Sequence, residues 1–317
     1  MFKVLSLDGG GIKGTFTASV LAGLERMTGK RVIEHFDLIT GTSTGGIIAL
    51  GLGLGMSAAE ILDFYETHGP KIFPTIGLQH RLRWFRRLLH PKPSQSSLNA
   101  ALVQVFGNKS LGQSCCRLVI PSYNCVSGEI YLFKTAHHDR YKQDYLTSAV
   151  DVAMATSAAP IYFPAHQGQG RGSFVDGGVW ANCPAMIGVI ESIFVLKSSP
   201  SEVRVLSIGT TDEPFYVTKK RRNGGLFYWN IGLIDLFMQA QVDAALGQVR
   251  VSTGNDPYRI SSTVTPGRFS LDNAKALDDL VALGHTEARK HETNVSRLFL
   301  SEKCAPFEPC LRAENGC

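Results

Sequence analysis

The sequence has no apolar run that could cross a bilayer, which takes about 20 residues. Its most apolar stretch, 47–56, is half that length and reads as a buried helix. Nor does the chain open on a basic segment, an apolar core and a small-residue cleavage site, since Met1-Phe2-Lys3-Val4-Leu5-Ser6-Leu7-Asp8 goes straight into a strand pattern. A cytoplasmic protein is therefore expected, with any membrane contact peripheral and at the inner membrane. No C-x-x-C pair occurs among the seven cysteines, Cys115, Cys116, Cys125, Cys183, Cys304, Cys310 and Cys317. Zinc ribbons and dithiol redox motifs are thereby excluded, and reduced thiols without a metal are expected. Low-complexity tracts and internal repeats are absent, which removes the disordered and solenoid classes.

What is present is a 317-residue chain with 44% hydrophobic and 19% charged residues, enough to bury a large core as one big domain or two smaller ones. The formal net charge of +5 favours anionic partners without naming them, and nothing in its pattern points to DNA or RNA. Basic residues cluster at Arg81, Arg83, Arg86, Arg87 and Lys92, and again at Lys219, Lys220, Arg221 and Arg222.

Residues 3–8 read as a strand, and 15–27 carry Val20, Leu21, Leu24 and Met27 at helical spacing. A second strand over 36–40 leads into a glycine-rich turn and a helix over 45–54, so the intervening crossover helix makes the two strands parallel. Ser57-Ala58-Ala59-Glu60 is a capping box opening a helix that should end near Gly69-Pro70. Residues 71–97, rich in proline, arginine and aromatics, read as a basic lid-like insertion. Strands over 117–123 and 129–134 follow, then a helix of small residues over 148–159 that stops at Pro160. A strand end at 174–176, a buried strand over 203–210 and long helices within 226–250 and 271–299 complete the order. Together they predict a three-layer α/β/α domain with a mainly parallel central sheet over 3–300, and an irregular tail at 301–317.

Two turns carry the chemistry. In Asp8-Gly9-Gly10-Gly11-Ile12-Lys13-Gly14 the successive glycines let backbone N–H groups converge on one anionic point at a helix start. An oxyanion or a phosphate would suit this turn equally. In Gly41-Thr42-Ser43-Thr44-Gly45-Gly46 the G-x-S-x-G spacing is that of a nucleophile elbow, with glycines where the strand-to-helix turn leaves no room for side chains. Gly9-x-Gly11-x-x-Gly14 also matches a dinucleotide fingerprint, but that reading wants an acidic residue at the far end of the second strand. Asp37 lies at its beginning. A P-loop is excluded because Lys13 precedes Gly14 and no Gly-Lys-Ser/Thr follows there.

The two turns and Asp176-Gly177-Gly178, in this order, resemble the patatin-like phospholipases; Thr156-Ser157-Ala158-Ala159-Pro160 with Phe163-Pro164 is similar to the family's segment before its aspartate. The resemblance runs from residue 3 to about 210. It implies a Ser-Asp dyad, with Ser43 as nucleophile, Asp176 as general base, and Gly9, Gly10 and Gly11 as backbone oxyanion donors, and it needs no cofactor. The implied reaction is serine acyl transfer on membrane glycerophospholipid esters, with water releasing the fatty acid. Size and opening sequence further resemble the compact bacterial branch that serves antiphage signalling. That likeness implies a cyclic dinucleotide activator, and a homo-oligomer is allowed for. Asn182-Cys183-Pro184 departs from the family, whose members usually carry a second asparagine, and this is expected to touch loop packing more than chemistry.

Other readings stand beside this one. A Ser-Asp-His esterase would recruit His285 or His291, which read as solvated helix positions. A non-catalytic module would use the glycine turns to hold nucleotide phosphates. Asp8 reads as a helix cap, Lys13 as either a head-group ligand or a solvent-facing cation, and His137-His138 as a loop. On a helical wheel Arg83, Arg86 and Arg87 share one arc opposite Leu82, Trp84, Phe85, Leu88 and Leu89, an amphipathic basic helix. Such a helix fits an anionic membrane, a phosphorylated regulator, or plain packing on the core.

Overall fold

Val4, Leu5 and Leu7 are all fully buried although they lie on opposite faces of one strand, β1 (Phe2–Leu7). A strand buried on both faces is the mark of a parallel sheet covered by helices on each side. A computed structural model of the chain describes residues 1–73, 95–160, 162–168, 170, 172–214, 216–217, 222–224, 229, 232–265, 267–269 and 276–312.

Five strands run parallel in the order β3 (Arg117–Asn124), β2 (Leu38–Gly41), β1, β7 (Val203–Asp212), β8 (Tyr258–Thr263). Antiparallel strands finish one side: β4 (Glu129–Lys134) and β6 (Gly172–Asp176) both pair with β3, and β5 (His166–Gly168) pairs with β6. The expected mainly parallel sheet is therefore present. Sequence periodicity had supplied neither β5 nor β8, the first only three residues long and the second without clean alternation.

Alternate residues of the strands feed two cores. Leu5, Leu7, Ile39, Ile120 and Ile208 face the larger one. It is covered by α1 (Gly14–Thr28), α2 (Thr44–Gly53), α3 (Ala58–Ile72), α4 (Ser96–Phe106), α5 (Ala149–Thr156) and, further along the chain, a long C-terminal helix, Leu277–Leu298. Val4, Leu38, Val119, Val203 and Val205 face the other, under α6 (Ala185–Ile190) and α7 (Gly232–Thr253); the C-terminal helix is α8. The capping box is formed as expected, with Ser57 Oγ accepting from the Glu60 amide at 3.2 Å and Glu60 accepting from the Ser57 amide at 2.7 Å. Helix α3 nevertheless continues through Pro70 to Ile72. The missing N–H of Pro70 and the crowding of its ring against the Glu66 carbonyl fall in the last turn, beyond which the helix runs only to Ile72. Helix α5 in turn ends at Thr156, earlier than Pro160 requires.

Residues 301–312 of the tail have no regular structure, yet the chain end is strapped to the body of the domain. Lys3 Nζ donates to the carbonyls of Phe299 and Glu302, Lys30 Nζ to that of Leu300, and the Cys304 and Cys310 amides bond to Glu34 and Ala136 carbonyls. Cys116, Cys125, Cys183, Cys304 and Cys310 are free thiols, whereas Cys115 is disulfide-bonded, which departs from the expectation of reduced thiols throughout. Among the described residues no helix is long and apolar enough to cross a membrane, and no group of histidine, cysteine or carboxylate side chains could hold a metal.

Candidate active site

Register brings the two chemical residues together. Thr40 of β2 lies opposite Val119 of β3, so the elbow that follows β2 stands beside the later part of β3. Ser122 pairs with Asp176, because β6 runs back antiparallel and ends there. Ser43 Oγ donates a 2.7 Å hydrogen bond to Asp176 Oδ2, and the Gly178 amide donates at 2.7 Å to Asp176 Oδ1. Both residues are buried. Burial pushes the Asp176 carboxyl up to about 6, against the opposing pull of those two hydrogen bonds. A carboxylate of that basicity can share a serine proton near neutral pH.

Ser43 has φ 56° and ψ −123°, a conformation rare for a residue with a side chain. Thr156 holds it there, accepting from the Ser43 amide at 3.0 Å while donating to the Pro121 carbonyl at 2.6 Å. The flanking glycines are sterically required. A Cβ on Gly41 would stand 2.2 Å from the Gly45 carbonyl oxygen, and one on Gly45 would stand 2.3 Å from that of Leu7. At Gly177 the obstacle is the Pro121 carbonyl, 2.4 Å away. Because these obstacles are backbone, Gly45→Ala is expected to cost upwards of about 4 kcal/mol of folding stability. Chemical denaturation would check this, and a variant within about 1 kcal/mol of the parent would show that the elbow can yield.

The cavity over the dyad measures about 150 Å³ and is apolar apart from its floor. Ile47, Phe64, Ile72 and Leu98 form one wall and Ile234 and Met238 of α7 another. Gly10, Gly11, Gly178 and Asn182 border it beside Ser43. Gly9 differs from its neighbours: its amide donates at 3.0 Å to the Asn182 carbonyl, so that N–H is already occupied and the first turn has Gly10 and Gly11 to offer.

An apolar cavity ending on a strained serine bonded to a buried aspartate, on this sheet, can be compared with known proteins. The patatin-like phospholipase family model matches residues 5–189, more than half of the chain. The chain belongs to the patatin-like phospholipase family. Its relatives include proteins named cGAMP-activated phospholipase. That of Pseudomonas aeruginosa is 37% identical over 92% of this chain and 87% of its own; that of Escherichia coli is 35% identical over 96% and 94%. The Vibrio cholerae protein of the same name is 33% identical over 92% and 91%. Among solved structures, VipD from Legionella pneumophila covers 92% of this chain and 67% of its own with a TM-score of 0.50 at 13% identity, a likeness of fold alone.

Within this patatin-like domain the rival site residues take other places. His285 and His291 are partly buried rather than fully solvated. His285 is half-buried against Gly23 of α1, and its charged form is disfavoured by burial. His291 Nδ1 lies 2.9 Å from Tyr258 Oη and its Nε2 3.5 Å from Glu287. Neither lines the cavity, so both serve the packing of α8. Asp8 does not cap a helix: buried at 2% exposure, it lies 2.7 Å from Arg259 Nη1, which also donates to Ser207 Oγ at 2.8 Å. A buried carboxylate in reach of a guanidinium pairs with it rather than stay uncompensated. Lys13 is tethered at 3.6 Å to Glu213. His137, in its loop, is buried and 2.9 Å from Glu191. Arg81, Arg83, Arg86 and Arg87, with most of the expected lid, lie outside the described residues, as do Lys219, Lys220 and Arg221.

Three residues around the candidate site escaped sequence reasoning: Thr156, Asn182 and Arg259. Thr156 and Asn182 stand inside the motif segments and could have been flagged by that placement. For Arg259, an isolated arginine in an unforeseen strand, the sequence held no signal.

Proposed function

We propose that the chain is a serine phospholipase that cleaves acyl esters of membrane glycerophospholipids, and that a cyclic dinucleotide switches it on in defence against phage. The hydrogen bond of 2.7 Å between Ser43 and a buried Asp176, at the polar floor of an apolar cavity, carries the reading. One acyl chain lies among the apolar walls, which places its ester carbonyl over Ser43. Asp176 takes the hydroxyl proton as the Ser43 Oγ–carbon bond forms, and the amides of Gly10 and Gly11 hold the oxyanion. Collapse of that intermediate expels the lysolipid alkoxide, which receives the proton from Asp176. Water, deprotonated by the same carboxylate, then splits the acyl-serine and releases the fatty acid. Support for the nucleotide comes from the three bacterial relatives, each named as cGAMP-activated and covered over at least 87% of its length. The substrate brings the enzyme to a membrane surface, and among the described residues no helix is long and apolar enough to cross it.

The test is product analysis by mass spectrometry on vesicles of mixed glycerophospholipids, with and without cGAMP and related cyclic dinucleotides. Free fatty acid and lysolipid should appear, and cGAMP or one of its relatives should raise their rate at least about fivefold, the lower end of ordinary allosteric coupling. Equal release with and without every nucleotide would remove the switch. No release under any condition, together with no labelling by a fluorophosphonate, would remove the enzyme.

A further inference from the structure

Helix α7 changes character along its length. Toward its C-terminus Val242, Ala245 and Val249 are buried at helical spacing in the second core, while Asp243, Gln248 and Arg250 are exposed. That is an ordinary amphipathic helix on a sheet. Its first two turns depart from the pattern. Leu233, Ile234, Leu236, Phe237 and Met238 are five apolar residues in six positions, and none of them is buried: four are partly covered and Phe237 is 57% exposed. At about 100° per residue they spread over an arc of about 200°, roughly twice the stripe that a core-facing helix needs. Extending the line of Val242, Ala245 and Val249 back along the helix passes close to Ile234 and Met238. Leu233, Leu236 and Phe237 fall more than about 100° away from it, on the side turned from the core.

That outer face is continuous with the substrate cavity. Ile234 and Met238 line the cavity from the same two turns, and Val179, three residues after Asp176, lines it too while remaining 45% exposed. A residue that both lines a cavity and faces water stands at its rim, so the rim is apolar beside the dyad as well as along α7. Charge narrows the choice of partner. Asp235 is the one charged residue between Gly232 and Val242, so this end of the helix brings no cation to the phosphates of a nucleic acid or to an acidic protein. What it presents is exposed apolar surface running into a cavity walled by apolar side chains, and an exposed apolar patch of this kind marks a docking site.

Resting on the phospholipase reading above, we propose that the first two turns of α7, together with Val179, seat the enzyme on the phospholipid bilayer by inserting their apolar side chains at the boundary between headgroups and acyl chains. In that seat the rim of the cavity meets the hydrocarbon directly. An acyl chain then passes from bilayer to cavity without carrying its methylenes through water, where each of them is unfavourable. The contact is apolar, so it holds on a bilayer without net charge.

The experiment measures sedimentation of the full chain with vesicles of diether phosphatidylcholine, which have no net charge and no ester to cleave, with and without cGAMP. Phe237→Ser, Phe237→Glu and Phe237→Trp are compared with the parent. Both polar variants should bind at least about tenfold more weakly, which is what transferring about half of a phenyl ring from water amounts to. Phe237→Trp, whose ring suits the bilayer interface, should bind within about threefold of the parent. Hydrolysis of ester phosphatidylcholine vesicles at low lipid should fall with binding in the polar variants. Their kcat/KM on a short-chain ester dissolved as monomer should stay within about twofold of the parent, because Phe237 does not line the cavity. Melting temperatures identify misfolded variants. A parent that does not bind the vesicles in either condition, folded polar variants that bind them like the parent, or an equal loss on the dissolved ester overturns the proposal. So does a parent that self-associates without lipid and is dispersed by Phe237→Glu while vesicle binding is undiminished, since the surface would then belong to a second copy of the chain. Because the diether vesicles report binding alone, a parent that binds them yet neither hydrolyses lipid nor labels at Ser43 would strike the phospholipase reading instead.

Discussion

Ser43→Ala is expected to lower nucleotide-stimulated fatty-acid release by on the order of 10⁴-fold or more, because no other group can make the covalent bond that splits the reaction into two easier steps. Fluorophosphonate labelling should vanish with it. The fold should survive, since only the hydroxyl of a small side chain is removed while the backbone bond to Thr156 Oγ1 remains. A companion substitution separates chemistry from strain. The parent holds φ at 56° and ψ at −123° at the cost of about 1–3 kcal/mol, a cost that alanine keeps and glycine relieves. Ser43→Gly should therefore be as inactive as Ser43→Ala yet melt at a higher temperature. Equal melting temperatures would mean that the elbow is not strained, and residual labelling of either variant would place the nucleophile elsewhere.

The contrast between those two variants illustrates how much the sequence could convey. Gly41 and Gly45 announce a turn too tight for side chains, and the structure gives the reason in carbonyl oxygens 2.2 and 2.3 Å from the missing Cβ atoms. Such a turn is local, and a local constraint leaves a local record. The parallel pairing of β1 and β2 was legible likewise, because a crossover helix between two strands permits little else. The buried character of β7 was legible too, in the apolar residues of 203–208, and the strand lies between β1 and β8.

What escaped is carried by contacts between distant segments. Asp8 looked like a cap because its partner, Arg259, lies 251 positions away on a strand of irregular pattern. The same distance hid the hold on Asn182, whose carbonyl accepts from the first turn and whose amide donates to Gln241 of α7. The partial burial of His285 and His291 went unseen for a related reason: a polar helix facing a second helix covers one stripe of its polar residues, and the sequence does not say which stripe. The Gly9 amide is the most instructive case. Three consecutive glycines gave three equivalent donors on paper, and only the neighbouring loop decides that one of them is already bonded.

Asp176→Asn is the other substitution from which a loss of about 10⁴-fold in kcat is expected. The carboxamide is isosteric, so it can still accept from the Gly178 amide, but its nitrogen must then donate to Ser43 Oγ. The hydrogen bond survives with its direction reversed, and no base is left to receive the serine proton. Stability should move the opposite way from activity. Burial lifts the Asp176 carboxyl to about 6 from an ordinary value of 3.8, so between those pH values the folded protein binds more protons than the unfolded chain, and stability falls as pH rises through that window. At pH 7 the ionised form therefore carries a penalty of about 3 kcal/mol, which the neutral carboxamide escapes. Asp176→Asn should consequently melt above the parent at pH 7, by a margin that narrows toward pH 4. For the parent, kcat/KM should decline below about pH 6 with a limiting slope of one proton, as the base becomes protonated. A parent profile flat from pH 7 down to pH 4.5, or a folded Asp176→Asn protein that turns over at the parental rate, would show that a different group takes the proton from Ser43.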